Sequence, residues 1–188
     1  MFYRFARMLM KIFFYTLYRP KIYGKENIPK EGRMVVVANH RHSLDILIVG
    51  TMNKRTLHFL AKDELLKGPF GFIFRWLQII PVNRRTKDHN ALAAAEEALK
   101  KEEAIAIFPE GTFNRTGNIL APFKIGAVKM AHDTNSPIVP VALVSPYKLS
   151  FKRFVVRVGK PYKINSDDLE KENEKLMNII EKLLKEGE

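Results

Sequence analysis

An α/β fold, with a mostly parallel sheet flanked by helices in a single domain, is predicted by three observations. Short apolar runs rich in β-branched residues recur along the chain, and helix-forming segments alternate with them. One run, Met34-Val35-Val36-Val37-Ala38, is apolar without a break, as a strand covered on both faces requires. A length of 188 residues favours one domain, and 46% hydrophobic with 28% charged residues suits an ordinary core and argues against a disordered chain.

In chain order, residues 1–18 come first. Arg4, Arg7 and Lys11 follow an i, i+3, i+7 spacing that stacks them along one helix face, while Phe2, Phe5, Met8, Leu9, Ile12, Phe13, Phe14 and Leu17 fill the rest. A narrow basic stripe beside a wide apolar face suits a helix lying in a bilayer surface. Arg4, Phe5, Arg7, Leu9, Lys11 and Phe13 are the expected membrane contacts; a core helix covered by its own domain is the alternative. This basic, apolar start also imitates a secretion signal, but charges interrupt it and no A-x-A-like cleavage site follows. It is therefore expected to stay in the mature protein as an anchor for an α/β domain over residues 19–188.

Residues 21–33, with Gly24, Pro29 and Gly32, read as turns. Strands are expected at 34–38, 56–61, 78–82, 104–108, 138–144 and 154–158, and helices at 43–53, 69–77, 87–101 and 123–132. The helix at 87–101 has an Ala-rich centre and a favourable Glu96 to Lys100 pair at i, i+4. A closing helix is expected over 166–186, capped by Ser166, with Asp167 and Asp168 in its first turn and Leu169, Leu176, Ile180 and Leu183 inward.

Charge and composition narrow the function. With 32 Lys and Arg against 20 Asp and Glu the net charge is +12, which suits anionic lipid headgroups, acidic carrier proteins, phosphorylated metabolites or nucleic acid. The absence of cysteine removes disulfides, thiolate nucleophiles and cysteine-ligated metals. The longest stretch free of charge and His, 134–147, carries three prolines and is shorter than the roughly 20 apolar residues a spanning helix needs, so no transmembrane helix is expected. Nucleic acid is not the expected partner, because the aromatics cluster in apolar segments instead of alternating with bases.

Three segments could carry chemistry, each at the carboxyl end of an expected strand, where open α/β sheets gather their active groups. The first holds His40 and, five residues on, Asp45, which can accept a proton from the imidazole, fix its tautomer and leave the other ring nitrogen free as a base. His40-x-His42 lacks further clustered ligands, so no metal is expected. The second, Phe108-Pro109-Glu110-Gly111-Thr112-Phe113-Asn114-Arg115-Thr116-Gly117, supplies a carboxylate, a hydroxyl and two glycines that let a ligand approach the backbone. In the third, Arg84 and Arg85 follow Pro81-Val82-Asn83, where a guanidinium can grip a phosphate bidentately.

Taken together, His40 with Asp45, Arg84, Phe108-Pro109-Glu110-Gly111-Thr112, Pro122-Phe123-Lys124-x-Gly126-Ala127 and Ile138-Val139-Pro140-Val141-Ala142 closely resemble the glycerolipid acyltransferases, best the bacterial PlsC-type enzymes that acylate 1-acyl-sn-glycerol 3-phosphate. The resemblance covers residues 19–161. It implies a glycerol-3-phosphate acyltransferase-like fold, His40 as catalytic base with Asp45 as its partner, and Arg84, Glu110, Gly111, Thr112, Arg115 and Lys124 in acceptor binding. Pro140 belongs to a motif that is mainly structural. The pattern departs at Phe113, where the family commonly has Arg, at Asn114 in place of Ser, and at Asn83 in place of Asp. Arg115, Lys124 or Arg85 would supply the missing phosphate contact, or the acceptor headgroup differs.

The resemblance further implies transfer from an acyl carrier protein or coenzyme A thioester to the sn-2 hydroxyl of lysophosphatidic acid, giving phosphatidic acid without a cofactor or covalent acyl-enzyme. It also implies a peripheral site on the cytoplasmic face of the cell membrane. Two alternatives remain at this point: glycerol 3-phosphate or another lysolipid as acceptor, and a basic membrane or nucleic-acid binding module without catalysis.

Overall fold

The protein is described from a computed structural model, which covers residues 8, 11–12, 15–52, 54–67, 79–82, 89–145 and 153–186. In chain order the elements are β1 (Lys21–Tyr23), β2 (Met34–Ala38), α1 (Asp45–Thr51), β3 (Leu57–Lys62), α2 (Glu64–Lys67), β4 (Ile80–Val82), α3 (His89–Lys100), β5 (Ala104–Ile107), α4 (Gly126–Asp133), β6 (Ile138–Leu143), β7 (Val155–Val158) and α5 (Leu169–Lys185). The strands form a seven-stranded sheet in the order β1-β7-β6-β2-β5-β3-β4. Every pairing is parallel except β6 with β7.

The central strand β2 is buried along its whole length because both sheet faces are covered. Successive side chains point to opposite faces. Met34, Val36 and Ala38 therefore join one core with Ile48, Val49 and Met52 from α1 and the segment just after it. Val35 and Val37 join the other, with residues such as Leu99 of α3, Val128 of α4 and Ile180 of α5. The result is a three-layer α/β/α arrangement with β2 at its centre.

Several boundaries move from their expected places. The sheet gains β1, hidden from sequence reasoning because three residues with only Ile22 half-buried make no periodic signal. Phe154 donates its backbone N–H to Tyr18 and Lys21 donates to Phe154, so residues 18–21 are tied in beside β7. The last helix starts at Leu169, and its cap is Asp168, whose side chain accepts from the Lys171 N–H, instead of Ser166. Ser166 bonds the Asp168 N–H one turn earlier. On α3 the ion pair that forms is Lys101 with Glu97, at 2.7 Å. The helix expected at 69–77 lies outside the described residues.

Pro140 stands inside a buried strand, where a missing N–H is usually costly. Its carbonyl accepts from Gly159 at 2.9 Å on the side where β7 has just ended at Val158. A Cβ at Gly159 would come within 2.8 Å of the proline ring. Proline and glycine thus pack face to face at the point where the ladder stops.

Candidate active site

Because β2, β3, β5 and β6 run parallel, their carboxyl ends share one edge of the sheet. β2 and β5 are neighbours, yet the chain leaves β2 for β3 on one side and leaves β5 for β6 on the other. Such a divergence of connections marks the strand ends outside which open α/β sheets bind ligands. His40 follows β2 at this edge, and Phe108 to Asn114 follow β5 there.

Asp45 opens α1 and is fully buried, at 0% exposure. Its Oδ2 accepts the Arg41 N–H at 2.7 Å and the His42 N–H at 2.8 Å, and lies 2.9 Å from His40 Nδ1. Backbone amides can only donate, so this oxygen acts as an acceptor and the third contact assigns the ring hydrogen to Nδ1. Nε2 is left with its lone pair, and among the described residues no protein group bonds it. The His40 side chain keeps 13% of its surface exposed. Aromatic rings hold the plane: Phe108 stacks on the imidazole at 4.1 Å and 13°, and Phe113 packs against it at 4.5 Å and 58°.

The backbone of His40 is held as firmly as its ring. Its N–H donates to Glu110 Oε1 at 2.6 Å, and its carbonyl accepts from Asn114 N–H at 2.7 Å. The other Glu110 oxygen accepts the Ala121 N–H at 2.9 Å. Glu110 therefore ties three chain segments together, at 5% exposure. Burial raises its pKa above the usual carboxylate range, and the His40 and Ala121 amides pull it back in the opposite direction.

Sequence reasoning missed Asn39. This residue, fully buried, donates from Nδ2 to the Leu143 carbonyl at 3.2 Å and accepts the Leu143 N–H on Oδ1 at 2.7 Å. Its amide imitates a peptide group and adds one more rung between β2 and β6, so His40 leaves a strand end that is clamped on both sides. Loss of either bond would cost about 1–3 kcal/mol through an orphaned buried partner. The only signal in the sequence was a short amide directly after an apolar strand.

The remaining site residues fall as follows. Gly111 has φ +71°, and a Cβ there would lie 2.9 Å from Lys124 Cε, so the lysine stem crosses the turn where a side chain would stand. The Lys124 N–H donates to Pro109 at 2.9 Å, which fixes that crossing. Thr112, Arg115 and the Lys124 side chain are exposed. Asn114 turns back on its own loop, donating to the Asn118 carbonyl at 3.0 Å and accepting from Thr116 Oγ1 at 2.7 Å. Lys11 is exposed, whereas Arg84, Arg4, Phe5, Arg7, Leu9 and Phe13 lie outside the described residues. Of the other imidazoles, His42 accepts the Leu44 N–H on Nδ1 at 3.2 Å within the same loop, His58 meets Glu103 at 3.1 Å, and the His132 pKa is raised, chiefly by its bond to Asp133.

Comparison with known proteins places these elements in context. A model of the Acyltransferase family matches residues 19–144. The chain is 35% identical over 168 residues to a 1-acyl-sn-glycerol-3-phosphate acyltransferase of Borreliella burgdorferi, the match covering 84% of this chain and 66% of that protein. It is 30% identical over 165 residues to a protein of the same name from Bacillus subtilis, covering 85% and 81% of the two chains. A solved structure of the 1-acyl-sn-glycerophosphate acyltransferase PlsC from Thermotoga maritima superposes with a TM-score of 0.75 at 23% identity, over 99% of this chain and 82% of that one. That last likeness concerns the fold.

Proposed function

Since the chain belongs to the Acyltransferase family, we propose that it transfers a fatty acyl group from a thioester to the sn-2 hydroxyl of 1-acyl-sn-glycerol 3-phosphate, with His40 as general base. The observation that carries this reading is the buried Asp45 Oδ2 holding His40 Nδ1 at 2.9 Å, which leaves Nε2 as the ring nitrogen without a protein partner among the described residues. Nε2 takes the hydroxyl proton as the oxygen attacks the thioester carbonyl. The C–S bond then breaks, and the imidazolium returns the proton to the departing thiolate. The alcohol of the acceptor is itself the nucleophile, so the protein supplies a base and a binding surface and needs no side-chain nucleophile.

Acceptor choice follows the relatives, which carry the name 1-acyl-sn-glycerol-3-phosphate acyltransferase. In this reading Arg84, Arg115 and Lys124 bind the phosphate, with Gly111 and Thr112 lining the approach, and Glu110 serves mainly by fixing the loop. The donor is acyl carrier protein or coenzyme A, both anionic, and a net charge of +12 attracts either. A second acceptor, glycerol 3-phosphate or another lysolipid, is favoured by Phe113, which places a ring where the family pattern has a cation. Purified protein assayed on lysophosphatidic acid and on glycerol 3-phosphate, each with both thioesters, decides among these. Lysophosphatidic acid is expected to give at least about tenfold higher kcat/KM, a difference of about 1.4 kcal/mol, and a preference for glycerol 3-phosphate would reverse the assignment.

Both acceptor and product belong to the bilayer, and the reading places the protein on its cytoplasmic face without crossing it. Among the described residues no helix is long and apolar enough to span a membrane. Met8 and Ile12 are 49% and 57% exposed, large apolar side chains open to solvent one helical turn apart. β1 runs parallel to β7 and so opposite to β2, which brings the N-terminal segment to the same sheet edge as His40. Deletion of residues 1–18 is expected to release the protein from anionic vesicles in a sedimentation assay. Co-sedimentation at the level of the full chain would remove the anchor from the proposal.

A further inference from the structure

We infer that Phe113 is a positioning residue for the base: it grips the imidazole of His40 together with Phe108 and holds the charge the ring acquires during transfer. The inference rests on His40 being the base. Its own ground is a double attachment between the loop and the histidine. Asn114 donates its N–H to the His40 carbonyl at 2.7 Å, and the neighbouring Phe113 ring lies 4.5 Å from the imidazole. The first contact sets where residue 113 stands relative to the backbone of His40; the second sets the ring.

The geometry has a chemical consequence. Asp45 holds one nitrogen, which leaves the imidazole free to rotate and tilt about that single bond unless its faces are packed. Phe108 stacks at 13° and Phe113 tilts at 58°, so the direction of Nε2 is fixed by three contacts instead of one. An aromatic π system also attracts a cation, and the imidazole becomes cationic only after it has taken the hydroxyl proton. Contact with Phe113 therefore strengthens as the reaction proceeds, which is the condition for raising kcat. An Arg at 113 would instead bring a permanent positive charge toward that forming cation.

Three substitutions test the role: Phe113→Ala, Phe113→Leu and Phe113→Tyr, with kcat and acceptor KM measured at saturating donor and folding checked by thermal melting. Phe113→Ala is expected to lower kcat about tenfold with acceptor KM changed less than about twofold, as aromatic and cation–π contacts of this kind predict. Tyr is expected to restore kcat to within about twofold, and Leu, which keeps the apolar bulk without the π face, to remain about fivefold low. Recovery by Leu equal to that by Tyr, a kcat in the Ala variant within twofold of wild type, or a loss confined to acceptor KM would overturn the inference. If the Ala variant does not fold, the Leu and Tyr pair carries the same test. His40→Ala run in parallel separates the two readings: surviving transfer there removes the base itself, whereas abolished transfer beside an unaffected Phe113→Ala removes only the clamp.

Discussion

His40→Ala is expected to reduce acyl transfer by about 10²–10⁴-fold, the usual worth of a positioned general base, while the protein stays folded. The two halves of the prediction have separate physical grounds. Among the described residues no protein group bonds the imidazole Nε2, which sits on a ring held by a buried carboxylate, so its removal leaves the acceptor hydroxyl to ionise against water. The fold survives because the backbone bonds of residue 40, to Glu110 at 2.6 Å and from Asn114 at 2.7 Å, need no side chain. Single-turnover transfer with purified variant and circular dichroism report the two halves separately. Transfer within tenfold of wild type would end the assignment of His40.

Asp45→Asn is expected to lower kcat by about 10²–10⁴-fold as well, and unlike His40→Ala to lower stability. The native oxygen accepts from two backbone amides and one ring nitrogen at once. An amide has one acceptor atom and one donor group. With its oxygen in the place of Oδ2, the amide keeps all three contacts but lacks the charge that steadies the imidazolium. With its NH₂ there, the Arg41 and His42 amides face a donor and are orphaned at about 1–3 kcal/mol each, and the ring hydrogen is driven to Nε2, where it disables the base. Kinetics and thermal melting of one variant therefore distinguish the routes, and a kcat within fivefold of wild type would show that the carboxylate does not set the tautomer.

Much of the site was legible because it is local. Strand, histidine and aspartate fall within residues 34–45, and the resemblance to acyltransferases rests on residues that the chain carries in order. The apolar run of β2 announced burial on both faces, and its bounds of 34–38 agree with the observed strand. Elements without a periodic signal were not legible. β1 is only three residues long, and α5 is capped by Asp168 because the side chain that reaches Lys171 N–H, not the first hydroxyl in the segment, decides where a helix starts.

Glu110 illustrates the boundary most clearly. The resemblance to acyltransferases implied an acceptor contact for it, and the fold adds that its two oxygens accept from backbone amides of residues 40 and 121. Asn39 and the ring contacts of Phe108 and Phe113 belong to the same class, since each depends on a partner reached through strand pairing or loop docking.

By itself the amino-acid sequence determined the secondary elements with strong periodicity, the His40 and Asp45 pair, the basic surface and the family. Hydrophobic period and five-residue spacing are properties of a short stretch of chain and survive without a fold. The tertiary structure alone decided which strand ends meet. β2 and β5 lie side by side although residues 38 and 104 are far apart in the chain, and in that place the apolar faces of both strands are covered. That pairing brings the loop carrying Glu110 and Phe113 onto the histidine, and the hydrogen bonds and ring contacts that immobilise the base exist only after it forms.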